Sequence, residues 1–191
     1  MPNFEIEYYD AKKFYQEEES GDEKLLKNCL NIINTYESKK NRYSNIKDQD
    51  DMLAEFRSDF FEAITGNKNG CAFMLYQDNK PVSFCLFTNT DFDNDELHLE
   101  MIYTRRDYSG MGRGKMLLDY ALKCIANNTD VKTVISAVNE KNDSSRNLHE
   151  HYINDKTEDS KTRAYYDNGR RFYEIDLDDF RNKKDLDILC K

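Results

Sequence analysis

The chain has 191 residues, 38% hydrophobic and 13% aromatic, and its 28 basic and 37 acidic side chains leave a formal charge of −9. That length supports one domain with a sizeable core. The acidic balance argues against a generic nucleic-acid binder, which needs clustered cations, and suits a cationic acceptor better. No apolar run approaches the length that crosses a bilayer, and the N-terminus lacks the basic start and apolar block of a leader. Cys29, Cys71, Cys85 and Cys124 lie in apolar runs, the five cysteines are odd in number, and no C-x-x-C pair occurs. They read as small buried hydrophobes of a reducing compartment. The expectation is a soluble cytoplasmic protein with no metal, no nucleic-acid partner and no membrane partner.

In chain order, Phe4, Ile6 and Tyr8 alternate with polar residues and predict a first strand. Leu25, Leu26, Cys29, Ile32, Ile33 and Tyr36 recur at helical spacing within Asp22–Lys40. A second helix follows a polar connector, with Met52, Leu53, Phe56, Phe60 and Ile64 on one face and the "GNKNG" stretch as its stop. The runs "CAFMLYQ" and "PVSFCLFTNT", split by "DNK", predict a hairpin, and "ELHLEMIYT" a further strand. A glycine loop and a long amphipathic helix come next, then the β-branched strand "VKTVISAV", the short helix "DSSRNLHEHYIN" and a hairpin turning at Asn168-Gly169. The order β α α β β β α β α β β predicts an α/β (α+β) fold with a mixed, mostly antiparallel central sheet flanked by helices. One domain is expected over residues 1–178, with a charged tail over 179–191.

The loop "SGMGRG", Ser109 to Gly114, stands directly before a helix. The first N–H groups of a helix lack intrahelical partners and carry partial positive charge, and glycines let a ligand approach them. A phosphate is a natural occupant. The spacing is wrong for a P-loop, which needs four residues between its glycines and Ser or Thr after the Lys. It is also wrong for the G-x-G-x-x-G dinucleotide fingerprint.

This stretch resembles the R/Q-x-x-G-x-G/A signature of the GNAT superfamily of N-acetyltransferases, with Ser109 at the Arg/Gln place and Gly112 and Gly114 on the final two positions. Downstream, "NDSSRNLHE" resembles the N-x-x-A-x-x-L-Y-E helix of that family, and "TRAYYDNG" its Tyr-Tyr final hairpin in members that acetylate amino termini and ribosomal proteins. The resemblance implies a GNAT-like acyl-CoA N-acyltransferase fold. It also implies direct transfer, in a ternary complex, from acetyl-CoA to a primary amine: a peptide N-terminus, a lysine or a small polyamine. A non-catalytic CoA-binding sensor or interaction module stays open beside it, as does the choice between monomer and homodimer.

On the same resemblance, Ser109, Gly110, Met111, Gly112, Arg113, Gly114 and Lys115 hold the diphosphate. Ile102, Tyr103 and Thr104 meet the acetyl and pantetheine arm, Asn142 and Ser145 lie beside it, and Tyr165 and Tyr166 border the acceptor groove. An amine must lose a proton before it attacks, and Glu100 or His98 is the expected base, directly or through water. Period-two geometry predicts Glu96, His98, Glu100, Ile102 and Thr104 on one face of their strand, with Leu97, Leu99, Met101 and Tyr103 on the other. His149 takes the place of the family's tyrosine acid, and Tyr152, one helical turn on, is the other candidate.

Overall fold

The computed structural model describes residues 2–36, 49–66, 69–89, 95–155 and 158–181. A seven-stranded sheet forms its centre, built from β1 (Phe4–Tyr9), β2 (Cys71–Gln77), β3 (Lys80–Thr88), β4 (Glu96–Thr104), β5 (Thr133–Asn139), β6 (Arg163–Asp167) and β7 (Arg170–Asp176). The spatial order is β1-β2-β3-β4-β5-β7-β6. Among the described residues only β4 and β5 pair in parallel, joined by the crossover helix α4 (Arg113–Asn128). Both tight hairpins turn on positive-φ residues, Asp78-Asn79 and Asn168-Gly169.

Two cores lie against opposite faces of the sheet. On one, Phe73, Leu75, Cys85 and Leu97 meet Leu117, Leu118, Ala121 and Leu122 of α4, with Tyr152 of α5 (Asp143–Asn154). On the other, Ala72, Met74, Phe84 and Leu86 meet α1 (Ala11–Ser20), α2 (Lys24–Ile33) and α3 (Gln49–Thr65). Helix α1 is absent from the sequence expectation because only Phe14 of its side chains is buried, so it carries almost no apolar stripe. Its signals are the ends: Asp10 accepts from the Lys13 N–H at 2.8 Å, and Gly21, at φ 70, closes it. The expected helix from Asp22 to Lys40 ends at Ile33, and its last four positions lie outside the described residues. In the tail, Leu177–Asp179 is a single 3-10 turn and positions 182–191 lie outside the described residues.

Cys29, Cys71 and Cys85 are buried free thiols. Cys124 is disulfide-bonded, which corrects the expectation of a free thiol there: an apolar helical face dictates burial, not bonding state. Among the described residues no helix is long and apolar enough to cross a membrane, and no group of three or more His, Cys, Asp or Glu side chains is placed to hold a metal ion.

Candidate active site

β4 and β5 are paired only from Glu96/Thr133 to His98/Ile135, after which they diverge while β5 stays paired to β7 along its whole length. The sheet therefore opens into a fork. At the same place β4 carries a bulge: Leu86 pairs with Met101 and Phe87 with Leu99, so Glu100 is the extra residue. The bulge corrects the period-two expectation. Leu97, Leu99 and Ile102 pack toward α4, while Met101 and Tyr103 pack toward α2 and α3. One inserted residue exchanges the faces of everything after it. Glu100 is exposed at the crotch of the fork, and His98 is half-buried at the last paired position.

The ladder alternation tells which backbone groups face the opening. The Arg105 N–H donates to Val82 O at 2.8 Å, and Tyr103 O accepts from the Ser83 hydroxyl at 2.7 Å, so Arg105 and Tyr103 point toward β3. Ile102 and Thr104 then present their N–H and C=O groups to the open edge of β4. An extended chain with amide groups, such as a pantetheine arm, finds a ready strand edge there.

Beyond β4 the chain makes a 3-10 turn, Arg106–Tyr108, and enters the glycine loop. Gly110 and Gly112 have φ of 77° and 75°, a left-handed conformation that turns successive amides to one side. Met111 N–H reaches Tyr108 O at 3.3 Å and Met116 N–H closes on Gly112 O at 2.9 Å. Among the described residues, the N–H groups of Gly110, Gly112, Arg113, Gly114 and Lys115 find no acceptor. They form an unsatisfied donor cluster at a helix N-terminus, which fits a diphosphate. Gly114 is needed for a different reason. A Cβ there would meet Thr104 Oγ1 at 3.0 Å, so the helix start lies close against the end of β4.

The two loop cations are committed inside the protein. Arg113 Nε donates to Gln77 Oε1 at 2.9 Å and its guanidinium lies over the Phe4 ring. Lys115 Nζ pairs with Asp119 Oδ2 at 3.1 Å. Ser109 and Met111 are exposed. Asn142 caps α5 by accepting from the Ser145 N–H at 3.1 Å.

The two acid candidates are both buried. His149 stacks on Tyr173 at 4.9 Å, its Nδ1 lies 2.7 Å from Ser145 O, and its Nε2 has no partner among the described residues. Bonding to a carbonyl makes Nδ1 the protonated nitrogen. Burial holds the imidazole pKa below its ordinary value, against smaller opposing effects of Ser145 and Glu150, so the ring is neutral. The Tyr152 hydroxyl donates to Asp119 Oδ1 at 2.7 Å, and its pKa is raised by burial and then by Asp119. Tyr152, Asp119 and Lys115 thus form one network that ties α5 to the first turn of α4.

Because the folded His149 binds its proton less readily than the unfolded one, it costs no stability above the unfolded value near pH 6.5 and destabilises as pH falls below it. Denaturant melts at pH 7.5 and pH 5 are expected to show a smaller acid-side loss for His149→Phe, which keeps a ring against Tyr173, than for the wild type. Equal losses would mean that His149 titrates normally.

Tyr165 and Tyr166 are exposed on the edge strand β6, near the hairpin tip. Tyr165 stacks on Phe172 at 5.2 Å, and Tyr166 hydrogen-bonds Arg171, which is itself paired to Glu150 at 2.7 Å. Val138 of β5 is level with Arg171 and Tyr166, so the hairpin stands beside the diverging end of β5.

A family model matches residues 32–153 under the description acetyltransferase (GNAT) family. The chain belongs to that family. The acetyltransferase also shares its fold with solved structures at low identity. The Escherichia coli ribosomal-protein-alanine N-acetyltransferase is 14% identical, with a TM-score of 0.58 over 92% of this chain and 94% of that one. The PaiA N-acetyltransferase of Thermoplasma acidophilum, solved with coenzyme A, is 14% identical, with a TM-score of 0.57 over 91% and 99%. A ribosomal-protein α-N-acetyltransferase, also solved with coenzyme A, is 15% identical, with a TM-score of 0.62 over 92% and 95%. Among curated proteins none matches the chain.

Sequence reasoning missed two residues at this site. Ser83 is completely buried, yet its hydroxyl pairs with Thr104 Oγ1 at 2.9 Å under the glycine loop. Tyr36, which reads from sequence as one more apolar position of α2, places its hydroxyl on Thr104 O. A lone polar atom in a hydrophobic run was the only sequence signal for either.

Proposed function

We propose that the protein transfers the acetyl group of acetyl-CoA to the primary amine of a peptide or protein N-terminus, by direct attack in a ternary complex. The observation that carries this is the group of unsatisfied amides, those of Gly110 and of Gly112 to Lys115, set beside the open edge of β4. The amides hold the diphosphate, and the Ile102 edge groups with the Thr104 N–H align the pantetheine arm. Acetyl-CoA supplies a thioester carbonyl activated toward an amine. Glu100, at the crotch of the fork, takes the ammonium proton, with His98 as the alternative base. Tyr165 and Tyr166 flank the acceptor. The acidic chain favours a cationic incoming group, and two of the similar structures are named for ribosomal-protein substrates, which supports a peptide acceptor over a small polyamine.

Neither His149, neutral and buried, nor Tyr152, bonded to Asp119, stands ready as an acid. The thiolate of CoA leaves without a side-chain donor in this reading, since it is a tolerable leaving group near neutral pH. The same observation is what favours a second reading, a CoA-binding module without turnover. One experiment separates them: free-thiol release from acetyl-CoA across a panel of N-terminal peptides, lysine-bearing peptides with blocked N-termini, and polyamines. Turnover is expected, highest with the N-terminal peptides. Tight CoA binding with no release on any amine would establish the module instead.

A further inference from the structure

The end of β4 is held by residues far away in the chain. Tyr36, just past the C-terminal end of α2, donates its hydroxyl to Thr104 O, and its ring lies edge-on to Tyr103 at 6.2 Å. Its neighbour Thr35 accepts from the Arg106 N–H at 3.0 Å while donating to Ile32 O at 2.7 Å. Two consecutive side chains therefore grip the last residue of β4 and the first residue of the turn that leads to the glycine loop. From the β3 side the grip is completed by Ser83 on Tyr103 O and on Thr104 Oγ1, and by Val82 O on the Arg105 N–H. Thr104 is fixed on every side, and its Oγ1 is the atom against which Gly114 is packed.

The location of the Tyr36 hydroxyl matters more than its presence. Thr104 O is on the edge of β4 that faces the fork, not on the edge that faces β3. Tyr36 is therefore at the open edge, between the free Ile102 groups and the amide cradle, where an acyl carrier has to bend from strand edge to helix start. Its burial and the nearby Tyr103 raise the phenol pKa, so the hydroxyl keeps its proton to donate.

We infer that Thr35 and Tyr36 form a clasp that sets the seat of acetyl-CoA, with Tyr36 as a positioning residue. The clasp holds the Thr104 carbonyl out of the carrier's path and fixes the direction in which the loop amides leave the strand. It rests on the proposed use of acetyl-CoA but adds a role for α2, which contributes nothing to the amide cradle itself. Losing one hydrogen bond that orients a ligand's seat weakens binding roughly tenfold. A purely structural bond would instead lower the melting temperature and leave affinity alone.

The test is calorimetric titration of CoA, which needs no turnover, into the wild type and into Tyr36→Phe, Thr35→Val and Thr35→Ser, with melting temperatures of the ligand-free proteins. Tyr36→Phe is expected to raise Kd about tenfold, and KM for acetyl-CoA with it, while kcat at saturation stays within about twofold. Thr35→Val is expected to weaken CoA several-fold, and Thr35→Ser, which keeps the acceptor hydroxyl, to restore it. Wild-type affinity in both Tyr36→Phe and Thr35→Val overturns the clasp even if both melt earlier. Should Tyr36→Phe not fold, the Thr35 pair decides alone. Failure of the wild type to bind CoA removes the parent reading and the clasp together, an outcome distinct from unchanged affinity in the variants.

Discussion

Gly114→Val is expected to raise the KM for acetyl-CoA by about two orders of magnitude or more. The N–H of Gly114 is one of the unsatisfied donors of the cradle. Hydrogen bonds to a charged group contribute about 1.5–3 kcal/mol each, and every 1.4 kcal/mol is tenfold, so disturbing two of them suffices. The disturbance has a specific origin. Even a bare Cβ at this position meets Thr104 Oγ1 at 3.0 Å. That hydroxyl cannot swing away at no cost, because Ser83 holds it at 2.9 Å. The first turn of α4 must then lift off β4 and carry the amides with it. Overpacking of this kind costs about 1–3 kcal/mol of stability, so the variant still folds. Thiol-release kinetics and CoA titration measure the effect. An unchanged KM would place the diphosphate elsewhere.

Glu100→Gln is expected to lower kcat/KM about 10²–10⁴-fold, the usual worth of a positioned general base. The carboxamide keeps the shape and the bulge but accepts no proton. Glu100 is the residue that the β3–β4 bulge ejects, at the point where β4 and β5 separate, whereas His98 is still inside the paired segment. His98→Gln is therefore expected to cost less. Activity of Glu100→Gln should recover as pH rises toward the pKa of the acceptor amine, because an amine that loses its proton to solvent no longer needs the base. A larger loss with His98→Gln, or a flat pH response in Glu100→Gln, would transfer the role.

The glycine cradle was legible because its determinants are local. Gly110, Gly112 and Gly114 precede an apolar helical stripe, and no other part of the chain is needed to expose amides there. The strands and the two hairpins were legible for the same reason, from alternation and turn residues such as Asn168-Gly169. His149 was legible as a departure from the family's tyrosine but not as a buried, neutral ring, since burial there depends on Tyr173, which approaches from β7. Helix α1 escaped because its ends carry more signal than its faces.

The sequence by itself determined the order of elements apart from α1, the family, and the glycine run that leaves amides unpartnered before α4, all of which follow from spacing along short stretches. Only the tertiary structure decided that Glu100 is ejected by a bulge, that Ile102 and Tyr103 pack on the faces opposite to those alternation predicts, and that Tyr36 reaches the open edge of β4. A bulge is a mismatch between two strands, and the Tyr36–Thr104 bond joins residues 68 positions apart. Neither is a property of any one segment, because both exist only once separate segments are packed against each other.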